Sequence, residues 1–136
     1  PLNQVLKWDK KKLLKKNHII FGSRNLVKSV VKKKKYRFFL GKILNLLTKS
    51  ILSIKLNDSQ CGYKLYEKKT AKAVFSIMTN NGFAHDLEIV LISAKKNLFI
   101  QELPVKWTHK DGSKLNIFYD PIKMFLSIIA LRIKYF

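Results

Sequence analysis

The stretch Asp58-Ser59-Gln60-Cys61-Gly62-Tyr63-Lys64 decides how this chain is read. It sets an acid, an amide, a glycine and a lysine at fixed offsets, between a long apolar-periodic segment and a short strand-like one. Some twenty residues on, Gly82-Phe83-Ala84-His85-Asp86-Leu87-Glu88 repeats the theme, with a turn followed by two acids at the start of another apolar segment. The chain has only 8 acidic residues against 28 Lys and Arg. Acids that scarce, gathered beside element boundaries, point to a site.

Outward from these segments, helices and strands alternate. Residues 3–16 read as a short Lys-rich helix with Val5, Leu6, Leu13 and Leu14 on its apolar face. His18-Ile19-Ile20-Phe21 is an apolar run halted by Gly22, which suits a buried strand. Residues 25–36 read as a loop with a solvated Lys32–Lys35 run. Residues 37–56 read as a long helix with Lys42, Asn45, Lys49 and Ser53 on one side. Asp58 to Tyr66 is a turn leading into a strand. Lys69 to Met78 is a helix closed by Asn80-Asn81-Gly82, which tolerate left-handed backbone. Asp86 to Lys96 is a helix with acids in its first turn, where they suit the dipole. Phe99 to Val105 is a strand reaching toward Trp107, 109–113 is a loop, and Pro121 to Phe136 is a helix with Pro near its start. The pattern predicts an α/β layered domain.

The chain is 136 residues long, which allows one domain with a modest core, and its 47% hydrophobic content argues against disorder. The net charge is +20 and uneven: residues 1–57 hold sixteen Lys or Arg against a single acid, Asp9. Such a half implies an anionic partner, whether phosphate, nucleic acid or an acidic membrane surface. Lys outnumbers Arg by twenty-five to three, so compositional bias accounts for part of the excess. One cysteine, Cys61, excludes an internal disulfide and a thiolate zinc cluster. No apolar run reaches the roughly 18–20 residues needed to span a bilayer, so membrane contact by these residues is expected to be peripheral.

Each candidate residue has a structural and a functional reading. Asp58 either closes an Asx-turn or brings a carboxylate close to a phosphate beside the permissive Gly62. Asp86 and Glu88 either cap a helix or act on a substrate. His85 could serve as base or ligand, but no second His or Cys stands by it. Arg24 and Arg37 are either surface residues or bidentate phosphate binders, a task lysine cannot do. Gly112-Ser113-Lys114 is a plain loop or a phosphate-facing one.

With Gly22-Ser23-Arg24 before and Glu102-Leu103-Pro104-Val105-Lys106-Trp107 after, these motifs resemble the family 2 glycosyltransferases that move a sugar from a nucleotide onto a polyprenyl phosphate. The dolichyl-phosphate β-glucosyltransferases and mannose synthases are of this type. The resemblance matches all seven positions from Asp58 to Lys64 and departs at His85, where Phe is usual. It implies the C-terminal, acceptor-side half of a GT-A domain in residues 1–136, with the nucleotide-binding half and its Asp-x-Asp motif absent. It further implies that Asp58, Asp86 and Glu88 form the catalytic acids, with Gln60, Gly62 and Lys64 as motif support. Arg24 and Arg37 would hold the acceptor phosphate, and Ser113 and Lys114 would belong to a loop over the diphosphate. Mg²⁺ or Mn²⁺ is expected for the full-length enzyme, with no metal site in these residues, which alone should be inactive. The expected partners are UDP-glucose or GDP-mannose, a polyprenyl phosphate and a membrane surface, with the active site facing the cytoplasm. Glucose is preferred, on the Gln60–Lys64 segment and the Pro-Val-x-Trp strand.

Two rivals stand beside this. One is a non-catalytic basic membrane-surface module. The other is a nucleic-acid-binding module, against which the aromatics fail to interleave with the basic runs as a stacking platform would. No nucleic acid is therefore expected.

Overall fold

The strand read from His18–Phe21 is the centre of the fold. In a computed structural model, described for residues 3–10, 13–15, 18–32, 35–108 and 119–136, β1 spans Ile19–Ser23 and is buried along its whole length. Of residues 9, 10, 15, 32 and 35–40 only the backbone is described. β1 is flanked on both sides. β3 (Lys64–Tyr66) pairs antiparallel with it, Ile20 opposite Leu65. β4 (Ile100–Pro104) pairs parallel with it, Phe21 opposite Glu102. A strand covered on both faces needs apolar residues at successive positions, which is why Ile19-Ile20-Phe21 runs unbroken. The period of two then divides them: Ile19 and Phe21 enter one core cluster, Ile20 the other.

The larger cluster lies under four helices. α4 (His85–Lys95) is buried at every residue from Asp86 to Ser93, as a helix enclosed on all sides must be. It ends on Asn97 at φ 53, with Leu98 N–H donating to Ser93 O at 2.8 Å, a left-handed cap that satisfies the last carbonyls. α2 (Lys35–Leu52) adds Leu52 and is stopped by Ser53 at φ 54. α5 (Tyr119–Tyr135) adds Met124, Ile128 and Leu131 at helical spacing. α3 (Lys68–Phe75) is capped by Glu67, whose carboxylate accepts from Thr70 N–H at 2.8 Å and its hydroxyl at 3.0 Å.

The smaller cluster lies under α1 (Asn3–Lys10) and a one-turn 3₁₀ helix at Leu13–Lys15. Val5, Leu13 and Leu14 pack here as expected, but Leu6 is exposed and Trp8 takes the buried place. The expected loop 25–36 contains a strand, β2 (Val30–Lys32), which pairs parallel with β5 (Lys106–Thr108). The strand expected from Phe99 to Val105 is therefore two. β4 ends at Pro104, which has no N–H for the ladder, and Val105 N–H turns instead to Ser29 Oγ at 3.1 Å. Gln4 on α1 covers β5, donating to Lys106 O and accepting from Lys106 N–H, both at 2.8 Å. The domain is mixed α/β, with a three-stranded mixed sheet and a two-stranded parallel one.

Candidate active site

Arg24 leaves the end of β1 and meets Asp58, which follows α2 by six residues. The pairing is two-pronged: Arg24 Nε donates to Asp58 Oδ2 at 2.7 Å and Nη2 to Oδ1 at 2.8 Å. Arg24 backbone N–H adds a third bond to Oδ2 at 2.9 Å, and Gln60 N–H a longer one to Oδ1 at 3.3 Å. Asp58 is buried, whereas the Arg24 side chain keeps 24% of its surface. The guanidinium also lies 5.7 Å from the centre of the Trp107 ring. Burial on its own would push Asp58 up, but the hydrogen bond and charge of Arg24 and the two N–H groups hold it below the usual carboxylate range. Burial alone would lower Arg24, yet Asp58 leaves it raised.

A second pair lies behind. Lys64, on β3, donates to Asp86 Oδ2 at 2.8 Å, at the N-terminus of α4. Asp86 Oδ1 accepts no hydrogen bond among the described residues, although it is buried. His85 Nε2 lies 2.8 Å from it without the alignment a hydrogen bond requires. The other ring nitrogen, Nδ1, sits 2.9 Å from Gly82 O, which can only accept. Tyr66 is raised above its ordinary range by burial, with the Asp86 charge adding to it. Ser23, beside Arg24, is also fully buried, and its hydroxyl has no hydrogen-bond partner among the described residues.

The remaining motif residues fall into place around these pairs. Gln60 joins the two segments, donating to Phe83 O at 3.1 Å and reaching Met124 Sδ on α5 at 3.6 Å. A methyl group on Gly62 would meet nothing within 4 Å, so the fold itself does not call for glycine there. Gly22 is the opposite case. A Cβ on it would lie 2.7 Å from Val105 Cγ1 and 2.9 Å from Tyr63 Cβ, so β1 approaches its neighbours by having none. Cys61 is buried against the same glycine, and burial raises its thiol.

Glu88 stands apart from the expectation of a catalytic acid. It is fully buried and accepts five hydrogen bonds: from Thr79 N–H, Thr79 hydroxyl, Asn80 N–H, Lys134 Nζ and Tyr135 hydroxyl, at 2.7–3.1 Å. Burial pushes it up, yet these donors, Lys134 foremost, hold it down to about 2. It ties α4 to the end of α5, and no reactant has room at it. Lys134, near the end of α5, turns to Glu88.

Asn57 and Glu102 were not among the expected site residues, Glu102 standing only in the Glu102–Trp107 segment of the resemblance. Glu102 accepts from Asn57 and Asp58 backbone N–H at 2.8 Å each, and Asn57 O accepts from Asn25 and Asn45. Proximity of Asn57 to the motif was the one available signal. Arg37 falls in the first turn of α2, and its side chain lies outside the described residues, as do Ser113 and Lys114. Both site carboxylates are engaged by cations, and no three His, Cys, Asp or Glu side chains converge as a metal-holding group among the described residues.

An α/β domain whose site confines two cation–carboxylate pairs at a strand end and a helix start has the parts to hold an anionic, hydroxyl-rich ligand. Comparison with known proteins supplies the family. The chain is 36% identical over 122 residues to a dolichyl-phosphate beta-glucosyltransferase of Dictyostelium discoideum, covering 86% of this chain and 37% of that protein. It is 35% identical over 85 residues to the one from Saccharomyces cerevisiae, 62% of this chain and 25% of that protein. It is 31% identical over 131 residues to one from Trichomonas vaginalis, 92% and 39% respectively. Over the stretch it shares with them, the chain belongs to this glycosyltransferase family. It spans no more than about two fifths of the length of these relatives. No protein-family model and no solved structure matches it.

Proposed function

We propose that the protein carrying this chain transfers a hexose from a nucleotide sugar to a polyprenyl phosphate, and that residues 1–136 are the C-terminal, acceptor-side half of its GT-A-type domain. The observation that carries the reading is the pair of charge-matched contacts, Arg24–Asp58 and Lys64–Asp86, which join the end of β1, the Asp58–Lys64 segment and the start of α4. An acceptor phosphate oxygen attacks the anomeric carbon. The bond from that carbon to the nucleoside diphosphate breaks with inversion, and the diphosphate leaves with the electron pair. The attacking oxygen is already anionic near neutral pH, because a phosphate monoester loses its second proton near about 6. The chain's work is then positioning and charge neutralisation, not proton removal.

Arg24, exposed on one side and fixed on the other by Asp58, holds the phosphate, with Arg37 as its second arm. Asp58 orients Arg24 with both oxygens and is not a base. Asp86, whose Oδ1 accepts no hydrogen bond from the described residues, is the sugar-orienting candidate. Ser113 and Lys114 are assigned to the diphosphate on the family resemblance alone. The sequence contains no Asp-x-Asp, and the Mg²⁺ or Mn²⁺ of the whole enzyme is proposed to bind such a motif elsewhere in it. UDP-glucose is the preferred donor, GDP-mannose the alternative.

Membrane association on the cytoplasmic side completes the reading. No helix among the described residues is long and apolar enough to cross a membrane. α5, however, carries Ile122, Leu126, Ile129 and Ile133 exposed on the face away from the core, and exposed Phe136 follows it with Arg132 against its ring. An apolar helix face flanked by cations suits an anionic lipid surface.

The test uses the open reading frame that encodes this chain, incubated with Mn²⁺ or Mg²⁺, polyprenyl phosphate and labelled UDP-glucose or GDP-mannose. Label in the organic phase, lost in folded Arg24→Ala and Asp58→Ala variants, is expected. No transfer from either donor, by a folded protein with an intact Asp-x-Asp, would overturn the proposal and favour the membrane-surface module.

A further inference from the structure

Residues 53–58, between α2 and the Ser59–Gln60 turn, belong to no helix or strand. Their backbone donors therefore need partners from elsewhere. Asn57 N–H and Asp58 N–H both donate to the Glu102 carboxylate at 2.8 Å, one to each oxygen. Asn57 Nδ2 joins at 2.9 Å. Asn57 O accepts Asn25 Nδ2 from the loop after Arg24 at 2.7 Å and Asn45 Nδ2 from α2 at 2.9 Å. Glu102 sits on β4, in register with Phe21 of β1, and Arg24 emerges from the end of that same β1.

We propose that Glu102 is a positioning residue for Arg24. By gripping two successive N–H groups it fixes the backbone of Asn57 and Asp58. That presents the Asp58 carboxylate to the guanidinium and the backbone N–H of Arg24 in one orientation. The functional weight of this inference rests on the reading of Arg24 as the phosphate-holding group. A carboxylate is needed because three N–H donors converge on two oxygens. Glutamine, the same shape, sets an NH₂ against at least one N–H, so the loop must shift.

The chain has only three arginines, so the ¹H–¹⁵N signals of their Nε–H groups can be read singly. In the wild-type chain Arg24 Nε–H, bonded to Asp58, exchanges slowly with water. In Glu102→Gln its protection falls by about tenfold or more, the loss of one charge-assisted hydrogen bond. Asn57→Ala, which removes one of the three contacts, gives a smaller loss in the same direction. Arg132 is unchanged in both. A folded Glu102→Gln chain with wild-type Arg24 protection overturns the proposal. If Glu102→Gln does not fold, Asn57→Ala decides: wild-type protection there overturns it equally. In the transferase assay, Glu102→Gln raises the KM for polyprenyl phosphate and leaves that for the nucleotide sugar alone. A wild-type protein without transfer sinks the proposed reaction, while the Arg24 signal still judges the role of Glu102.

Discussion

Glu88→Gln measures how firmly α5 is tied to the start of α4. Oε2 of Glu88 accepts the N–H groups of Thr79 and Asn80. Oε1 accepts the hydroxyls of Thr79 and Tyr135 and the Lys134 ammonium. An amide has one acceptor oxygen. Facing the two backbone N–H groups, it sets its NH₂ toward Lys134, whose side chain is 42% exposed and swings into water. That ion pair is screened by solvent and counts for little. The two hydroxyls rotate to accept. What remains is the exchange of two buried charge-assisted N–H bonds, each contributing about 1.5–3 kcal/mol, for neutral ones contributing roughly 1 kcal/mol. The expected loss is about 2 kcal/mol. With a urea slope of about 2 kcal/mol per molar, the midpoint falls by about 1 M at pH 7. The pH dependence follows from the carboxyl held down to about 2 from its ordinary 4.5. A depressed carboxylate contributes fully above its unfolded value, and that contribution is lost as pH falls through the folded one. The gap between wild type and Glu88→Gln should therefore close between about pH 5 and pH 2. Equal midpoints at pH 7, or a gap undiminished at pH 2, would refute the argument.

Three further outcomes are expected. Gly22→Ala forces a methyl group into Val105 and Tyr63 and should destabilise by about 1–3 kcal/mol in urea unfolding, whereas Gly62→Ala, with open space, should stay within about 0.5 kcal/mol. A transferase that loses turnover in Gly62→Ala without losing stability would mean that the glycine serves a ligand. The buried Cys61 thiol, with its pKa raised, should react with a thiol reagent at pH 8 at least about a hundredfold more slowly in the folded chain than in urea, and equal rates would contradict its burial. Replacing Ile122, Leu126 and Ile133 together by Ser should leave the circular dichroism unchanged. Binding to anionic vesicles should weaken by at least about tenfold, and unchanged binding would rule out this face as the lipid contact.

The parts of the fold that could be read from sequence are those whose reason is local. β1 announces itself as an unbroken apolar run, α4 by the acids of its first turn before an apolar segment, α5 by the Pro near its start, and the link from Asp58 to β3 by its polar turn residues. β2 is three residues among lysines, and nothing near it in sequence marks it. It is a strand because Lys106–Thr108 lies alongside, a contact across some seventy residues. The same holds within the site. The motif marked Asp58 and Asp86, but their partners, Arg24 and Lys64, stand thirty-four and twenty-two residues away. Glu88 was expected among the catalytic acids, and an acid in a first helical turn looks the same in sequence whether its carboxylate faces a substrate or a lysine forty-six residues on. Leu6 and Trp8 differ by half a turn of one helix, and only the neighbouring sheet decides which is inside.

α5 touches the site region at two places along its length. Near its start Met124 meets Gln60, and at its end Lys134 and Tyr135 hold Glu88, with ten residues or about 15 Å of helix between. A rod pinned at two points along its length cannot roll about its own axis without breaking one pin or the other. The outward stripe of α5 and the Arg24–Asp58 and Lys64–Asp86 pairs therefore keep a constant bearing to each other. Whatever surface the stripe lies on, the angle at which the site meets it is built into the helix.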